Sequence, residues 1–193
     1  MDRNITLFLI RHGETEENRL RILQGHLPGT LTPEGVEAAR ATAEDLANAE
    51  APFDLLLCSD LLRARRTACI IGERLHLAVR PTPLLRERDW GSITGRRIEE
   101  VIRTANEAPG VESVEAMFAR ARILLDVIRT DYPDAQRVLL VSHGLFLRVL
   151  QAAVRGTEMK ATPPMKNLEV RSLEITAPLS DFASATPIEA TDA

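Results

Sequence analysis

Apolar and polar positions along the chain switch repeatedly between two periods. Ile5–Ile10 is a continuous apolar run bounded by polar residues, and it reads as a strand buried on both faces. Thr32-Pro33-Glu34 is a helix start, with Thr32 as N-cap and Pro33 at the first helical position. Val36, Ala39, Ala43, Leu46 and Ala47 follow at helical spacing until Pro52 breaks the pattern. Leu55–Ser59 is a second short apolar strand, and the stretch from Leu62 to Leu75 is helical, with Ala68, Ile71 and Leu75 along one stripe. A short strand around Ala78–Pro81 belongs at a sheet edge, because prolines cannot donate to a central ladder. Residues 86–97, rich in charge and glycine, read as a loop.

The clearest helix runs from Ser113, its cap, to Thr130, with Val114, Met117, Phe118, Ala121, Leu124, Leu125 and Ile128 as its buried stripe. Tyr132-Pro133-Asp134 turns into a third buried strand, Val138–Ser142, followed by a helix over Leu145–Arg155. Asn167–Ile175 is extended, but Leu168 and Val170 alternate out of phase with Leu173 and Ile175, which predicts a bulge. Strands that are apolar throughout and alternate with helices predict an α/β three-layer sandwich. Its central sheet is mostly parallel, with helices on both faces. There is no linker and no repeat, so residues 1–176 are expected to form one domain. The aperiodic segment 177–193 is expected to be a flexible tail.

Composition removes several alternatives. The chain has 193 residues, 45% of them hydrophobic, enough for one core, and only 4% aromatic, so that core is aliphatic. No apolar run approaches the roughly 20 residues of a membrane span, and Ile5–Ile10 is too short for a secretory apolar segment. Cys58 and Cys69 lie in apolar stretches and read as small buried hydrophobes, consistent with a cytoplasmic protein. A net charge of −4 gives no footprint for nucleic acid. The arginines nevertheless cluster, at 63, 65 and 66 and again at 86, 88, 96 and 97, either as solvated faces or as a local anion site.

In open α/β sheets the ligand site lies outside the carboxyl ends of the strands. Those ends here carry Arg11-His12-Gly13, Ser59-Asp60-Leu61-Leu62-Arg63, Arg86-Glu87-Arg88-Asp89 and Ser142-His143-Gly144. Two histidines, several arginines and a carboxylate therefore converge on one edge. That set suits phosphoryl transfer through a covalent intermediate. A neutral imidazole attacks phosphorus, guanidinium forks hold the phosphate oxygens, a second histidine donates to an oxygen, and a carboxylic acid protonates the departing alkoxide. A zinc hydrolase fails on spacing, since there is no HxH or HxxxH pair and the arginines would oppose a cation.

LFLIRHGETEEN resembles the RHGxTxxN signature of the histidine phosphatase superfamily, in its phosphoglycerate mutase-like branch of broad-specificity phosphatases. QGHLPGTLTPEG at 24–35, SDLLRARRTA at 59–68, LLRERDWGSITGR at 84–96 and VSHGLFLR at 141–148 agree in order and spacing, so the resemblance covers residues 5 to 175. It implies His12 as the phosphorylated nucleophile, Arg11 and Arg63 as phosphate clamps, and His143 as the second histidine. Glu87 is then the proton donor, Asn18 a polar contact to the phosphate, and Gln24 and Gly25 line the substrate entrance. The chain departs from many relatives at Pro28-Gly29-Thr30, a difference that concerns substrate contacts. His26 reads as a surface residue, His76 as a helix-end residue, and Trp90 as a wall of the site or a packing residue.

The function so implied is a metal-independent phosphomonoesterase that needs no cofactor and acts on a small phosphate ester. A cofactor-dependent phosphoglycerate mutase is the second reading. Mutases of this type carry extra residues that cap the site, whereas only about 16 residues, Arg97–Glu112, separate the acid loop from the next helix here. A non-catalytic scaffold for phosphorylated ligands ranks third, because all the chemical residues are present.

Overall fold

The computed structural model describes residues 4–175, so the expected tail at 177–193 lies outside the described residues. Five strands form one sheet: β1 (Ile5–Arg11), β2 (Leu55–Ser59), β3 (Val79–Thr82), β4 (Arg137–Ser142) and β5 (Val170–Ile175). Their order is β3-β2-β4-β1-β5. All neighbouring pairs are parallel except β1 with β5. The proline-bearing β3 is an edge strand, because Pro81 has no N–H for a second neighbour.

The helices are the short α1 (Glu16–Arg19), α2 (Pro33–Ala47), α3 (Leu62–Leu75), the short α4 (Ile98–Val101), α5 (Val114–Asp131) and α6 (Gly144–Arg155). The expected caps are formed. Thr32 accepts from the Gly35 N–H and Ser113 from the Ala116 N–H.

Side chains alternate across the sheet, so each strand feeds two cores. Leu7, Leu9, Leu57, Val138 and Leu140 pack against α5 and α6, where Met117, Leu124, Leu125 and Ile128 are fully buried. Ile10, Leu56, Cys58, Leu139 and Val141 pack against Ala43 and Leu46 of α2 and Ala64, Ala68 and Ile71 of α3. The result is the predicted three-layer sandwich. Each fully buried aliphatic side chain contributes about 1.5–3 kcal/mol relative to exposure, which makes burial rather than helix propensity the deciding term for α5.

Two expectations are corrected. The phase break before Ile175 is not a bulge: β5 pairs with β1 without interruption from Val170 to Ile175. Leu168 instead lies in the turn ahead of the strand, in the left-handed region at φ 59°. Cys58 is buried, which pushes its thiol up to about 12, but Cys69 is exposed on the outer face of α3.

Register is what assembles the site. Arg11 pairs with Ser142, and the His12 N–H donates to the Ser142 carbonyl at 2.9 Å. The residues that follow, His12 and His143, therefore emerge side by side from adjacent parallel strands.

Candidate active site

The two histidine rings lie 5.2 Å apart, centroid to centroid, tilted by 60°. His12 is 3% exposed and His143 is fully buried. The Nδ1 of His12 lies 2.7 Å from the Gly13 carbonyl. A carbonyl can only accept, so the proton sits on Nδ1 and the lone pair on Nε2. Consistently, the Arg63 Nε–H donates to that Nε2 at 3.2 Å.

Burial holds the His12 pKa well below its ordinary value, helped by the charges of Arg63 and Arg11 and opposed by the Gly13 carbonyl. His143 is lowered for the same first reason, with Arg63, His12, Arg11 and Arg120 adding to it. Both imidazoles are therefore neutral at pH 7. Among the described residues neither nitrogen of His143 has a partner.

Arg63 stands on the first turn of α3, yet its side chain is 1% exposed. The entrance loop accounts for this: Arg63 donates to the carbonyls of Gly25 at 2.9 Å and Leu27 at 2.5 Å, and its N–H reaches the Pro28 carbonyl. Burial pushes its pKa down to about 10, which leaves it cationic at neutral pH. Arg11 donates from Nη1 to the Met165 carbonyl at 2.8 Å, while its buried Nε has no partner among the described residues. A Cβ at Gly144 would stand 3.4 Å from Nε, in ordinary van der Waals contact with this guanidinium. Gly13 is required, because a Cβ there would meet the Gly35 carbonyl oxygen at 2.8 Å.

Glu87 reaches the same place from the acid loop. Its carboxylate accepts from the Leu145 and Phe146 N–H groups at the start of α6, at 3.3 and 3.1 Å, and from the Arg88 N–H at 3.0 Å. Asn18 forms a reciprocal cap with Thr15, its Oδ1 accepting the Thr15 N–H. Gln24 donates to the Thr15 hydroxyl at 2.9 Å, and its buried Oε1 has no partner among the described residues. His12, His143, Arg11, Arg63 and Glu87 are thus brought together, with Asn18 and Gln24 held through Thr15 beside them.

Several arginines of the sequence clusters take other roles. Arg86 pairs with Asp60, and Arg88 is buried against Trp90, donating to the Glu112 carbonyl and Asn106. Arg65 and Arg66 are exposed, and Arg96 pairs with Glu100 at the surface. His26, read as a surface residue, is half-buried and donates from Nε2 to the Glu87 carbonyl at 3.0 Å. Trp90 packs with Leu23, Val101 and Ala105, so the segment after the acid loop folds onto that cluster.

Three supporting residues escaped sequence reasoning. Thr67 accepts the Gly13 N–H and donates to the Arg63 carbonyl. Asn167 donates to the His12 carbonyl at 2.8 Å. Arg120, largely buried on α5, holds the acid loop. Only Thr67, inside a matched motif, carried any signal. Among the described residues, no three His, Cys, Asp or Glu side chains are grouped to hold a metal ion, and no helix is long and apolar enough to cross a membrane.

The chain is 34% identical over 150 residues to the uncharacterized phosphatase PhoE of Bacillus subtilis (strain 168), covering 77% of this chain and 76% of that one. It is 31% identical over 181 residues to a 2,3-bisphosphoglycerate-dependent phosphoglycerate mutase of Methylobacterium radiotolerans, covering 83% and 84%. The native structure of mycobacterial glucosyl-3-phosphoglycerate phosphatase superimposes with a TM-score of 0.78 at 30% identity, covering 89% of this chain and 91% of that one. Residues 7–181 match one family along almost the whole described fold, and the chain belongs to the histidine phosphatase superfamily, branch 1.

Proposed function

We propose that the chain is a phosphomonoesterase that hydrolyses a small phosphate ester through a phosphohistidine on His12. The observation that carries this reading is the 2.7 Å contact between His12 Nδ1 and the Gly13 carbonyl, which leaves Nε2 as an unprotonated nucleophile. Around it stand the unpartnered Arg11 Nε and the two unpartnered nitrogens of His143. Buried polar groups without partners are rare, and a tetrahedral oxyanion would accept from the Arg11 Nε–H and from the one protonated nitrogen of the neutral His143 ring.

In the first step His12 Nε2 bonds to phosphorus as the ester P–O bond breaks. Glu87, as the acid, gives its proton to the departing alkoxide. Arg63 redirects its Nε–H hydrogen bond from the imidazole to a phosphate oxygen, keeping the proton, and Arg11 and His143 donate hydrogen bonds to the others. Asn18, its oxygen already engaged by Thr15, offers its amide N–H to the same group. In the second step water attacks phosphorus, the N–P bond breaks, and Glu87 takes the water's proton. Gln24 and Gly25 flank the substrate entrance.

One α/β unit over residues 1–176 carries this chemistry. We place it in the cytoplasm, a reading that the two free cysteines support. A small metabolite rather than nucleic acid fits the net charge of −4. The second reading, a cofactor-dependent mutase, draws on the Methylobacterium relative.

Rapid quench with a radiolabelled phosphate ester tests the proposal. An acid-labile label on His12, absent from His12→Ala, is the expected result. A label on another side chain, or none, overturns it. Chasing the phosphoenzyme separates the two activities: release of inorganic phosphate identifies the phosphatase, and transfer to added phosphoglycerate identifies the mutase.

A further inference from the structure

Arg120 lies on α5, its charge close enough to act on His143, and its side chain is only 16% exposed. Every N–H of its guanidinium has an acceptor. Nε and Nη2 form a fork on the Glu112 carboxylate at 3.0 and 2.9 Å. Nη1 donates to the carbonyls of Leu84 at 3.1 Å and Arg86 at 2.7 Å, and Nη2 also reaches the Glu87 carbonyl at 3.5 Å. The guanidinium carbon stands 4.3 Å over the ring of Phe146, the residue whose N–H holds Glu87 Oε1. Glu112 extends the same clamp by accepting the Asp89 N–H at 3.3 Å.

We propose that Arg120 is the positioning residue for the proton donor. It gathers the main chain up to and including Glu87, bears through Glu112 on the Asp89 N–H beyond it, and packs on the α6 residue that receives the carboxylate, so one guanidinium sets where that carboxyl stands. This rests on the reading of Glu87 as the donor. Misplacing a catalytic group by about 1 Å costs on the order of a hundredfold in rate, and a charged loop with no such clamp has no reason to stay within that tolerance. Lysine cannot replace it, having three donors on one atom instead of a planar fork.

Protonation of the leaving group matters most when that group is a poor one, and this separates positioning from general support of the fold. The measurement is kcat/KM, which reports phosphoryl transfer to the enzyme. The esters run from 2,4-dinitrophenyl through 4-nitrophenyl and phenyl phosphate to glycerol phosphate. The proteins are wild type, Arg120→Met, Glu87→Gln and the double variant. The loss in Arg120→Met is expected to grow along that series, reaching about a hundredfold with glycerol phosphate. It should parallel Glu87→Gln, and the double variant should be no slower than Glu87→Gln alone.

An equal loss on every ester, or losses that multiply in the double variant, overturns the role of Arg120. A flat series for Glu87→Gln overturns the donor assignment itself, and with it this inference. If Arg120→Met does not fold, Arg120→Lys carries the test. It keeps the charge opposite Glu112 but cannot span three carbonyls, so a leaving-group-dependent loss supports the proposal and wild-type behaviour along the series refutes it.

Discussion

Acidification should destabilise the folded chain well above the pH at which its carboxylates titrate. His12 and His143 are buried and neutral, with pKa values held well below the ordinary 6.5, chiefly by loss of hydration. In the unfolded chain each binds a proton near pH 6.5, and in the folded chain neither does until the pH is far lower. The unfolded state therefore carries the extra protons, and stability falls as pH drops through 6.5. Each such group contributes about 1.4 kcal/mol per pH unit, so the two together lower stability by about 2.7 kcal/mol per unit. Integrated from neutral pH to pH 5, the loss is about 4 kcal/mol, a large part of the 5–15 kcal/mol typical of a domain.

The carboxylates of Asp60 and Glu44 are lowered chiefly by hydrogen bonds from Arg86 and Arg74, and that of Glu34 first by its own backbone N–H and then by Arg19, so their contributions are lost as pH falls from the ordinary carboxylate range to below it. The interval between pH 6.5 and 5 thus reports the buried histidines. Urea unfolding followed by the fluorescence of the single tryptophan, Trp90, measures it. His143→Gln removes one of the two protons and should halve the loss, to about 2 kcal/mol. A wild-type stability that is flat between pH 7 and 5, or a His143→Gln variant with the full slope, would refute the reasoning.

Two further predictions concern packing and chemistry. Alanine in place of a mid-helix glycine usually stabilises by about 0.5–1 kcal/mol. At Gly72 of α3, however, a Cβ would meet the Leu77 carbonyl oxygen and Val79 Cγ2, each at 2.8 Å. Gly72→Ala should therefore lose about 1–3 kcal/mol in urea unfolding with kcat/KM unchanged, and a gain in stability contradicts this packing. Phosphatase activity should survive EDTA, because two guanidinium groups crowd the histidines and repel a cation. Loss on chelation that is restored by Zn²⁺ or Mg²⁺ counts against the scheme.

The alternation of strands and helices, the Thr32 and Ser113 caps and the buried stripe of α5 were legible because each depends on residues a few positions apart. So was the convergence of His12, Arg63, Glu87 and His143, since parallel strands send their carboxyl ends to one edge. The Leu168 turn was misread as a bulge because a phase break looks the same whether it falls within a strand or before it. Cys69 was misjudged and Arg120 passed over for the same reason: helical position alone does not say what packs against a helix face, and α3 leaves one exposed while α5 buries the other.

The linear order of residues determined which side chains could do the chemistry. Only the tertiary structure decided their states. The chain step from His12 to Gly13 is local, but the neutral state of that imidazole comes from burial and from Arg63, 51 residues away. Glu87 is held by N–H groups 58 and 59 positions further on, and its loop by a guanidinium more than 30 positions away. Hydration, charge and hydrogen-bond partners are set by what surrounds a group in space, and no period along the chain encodes that.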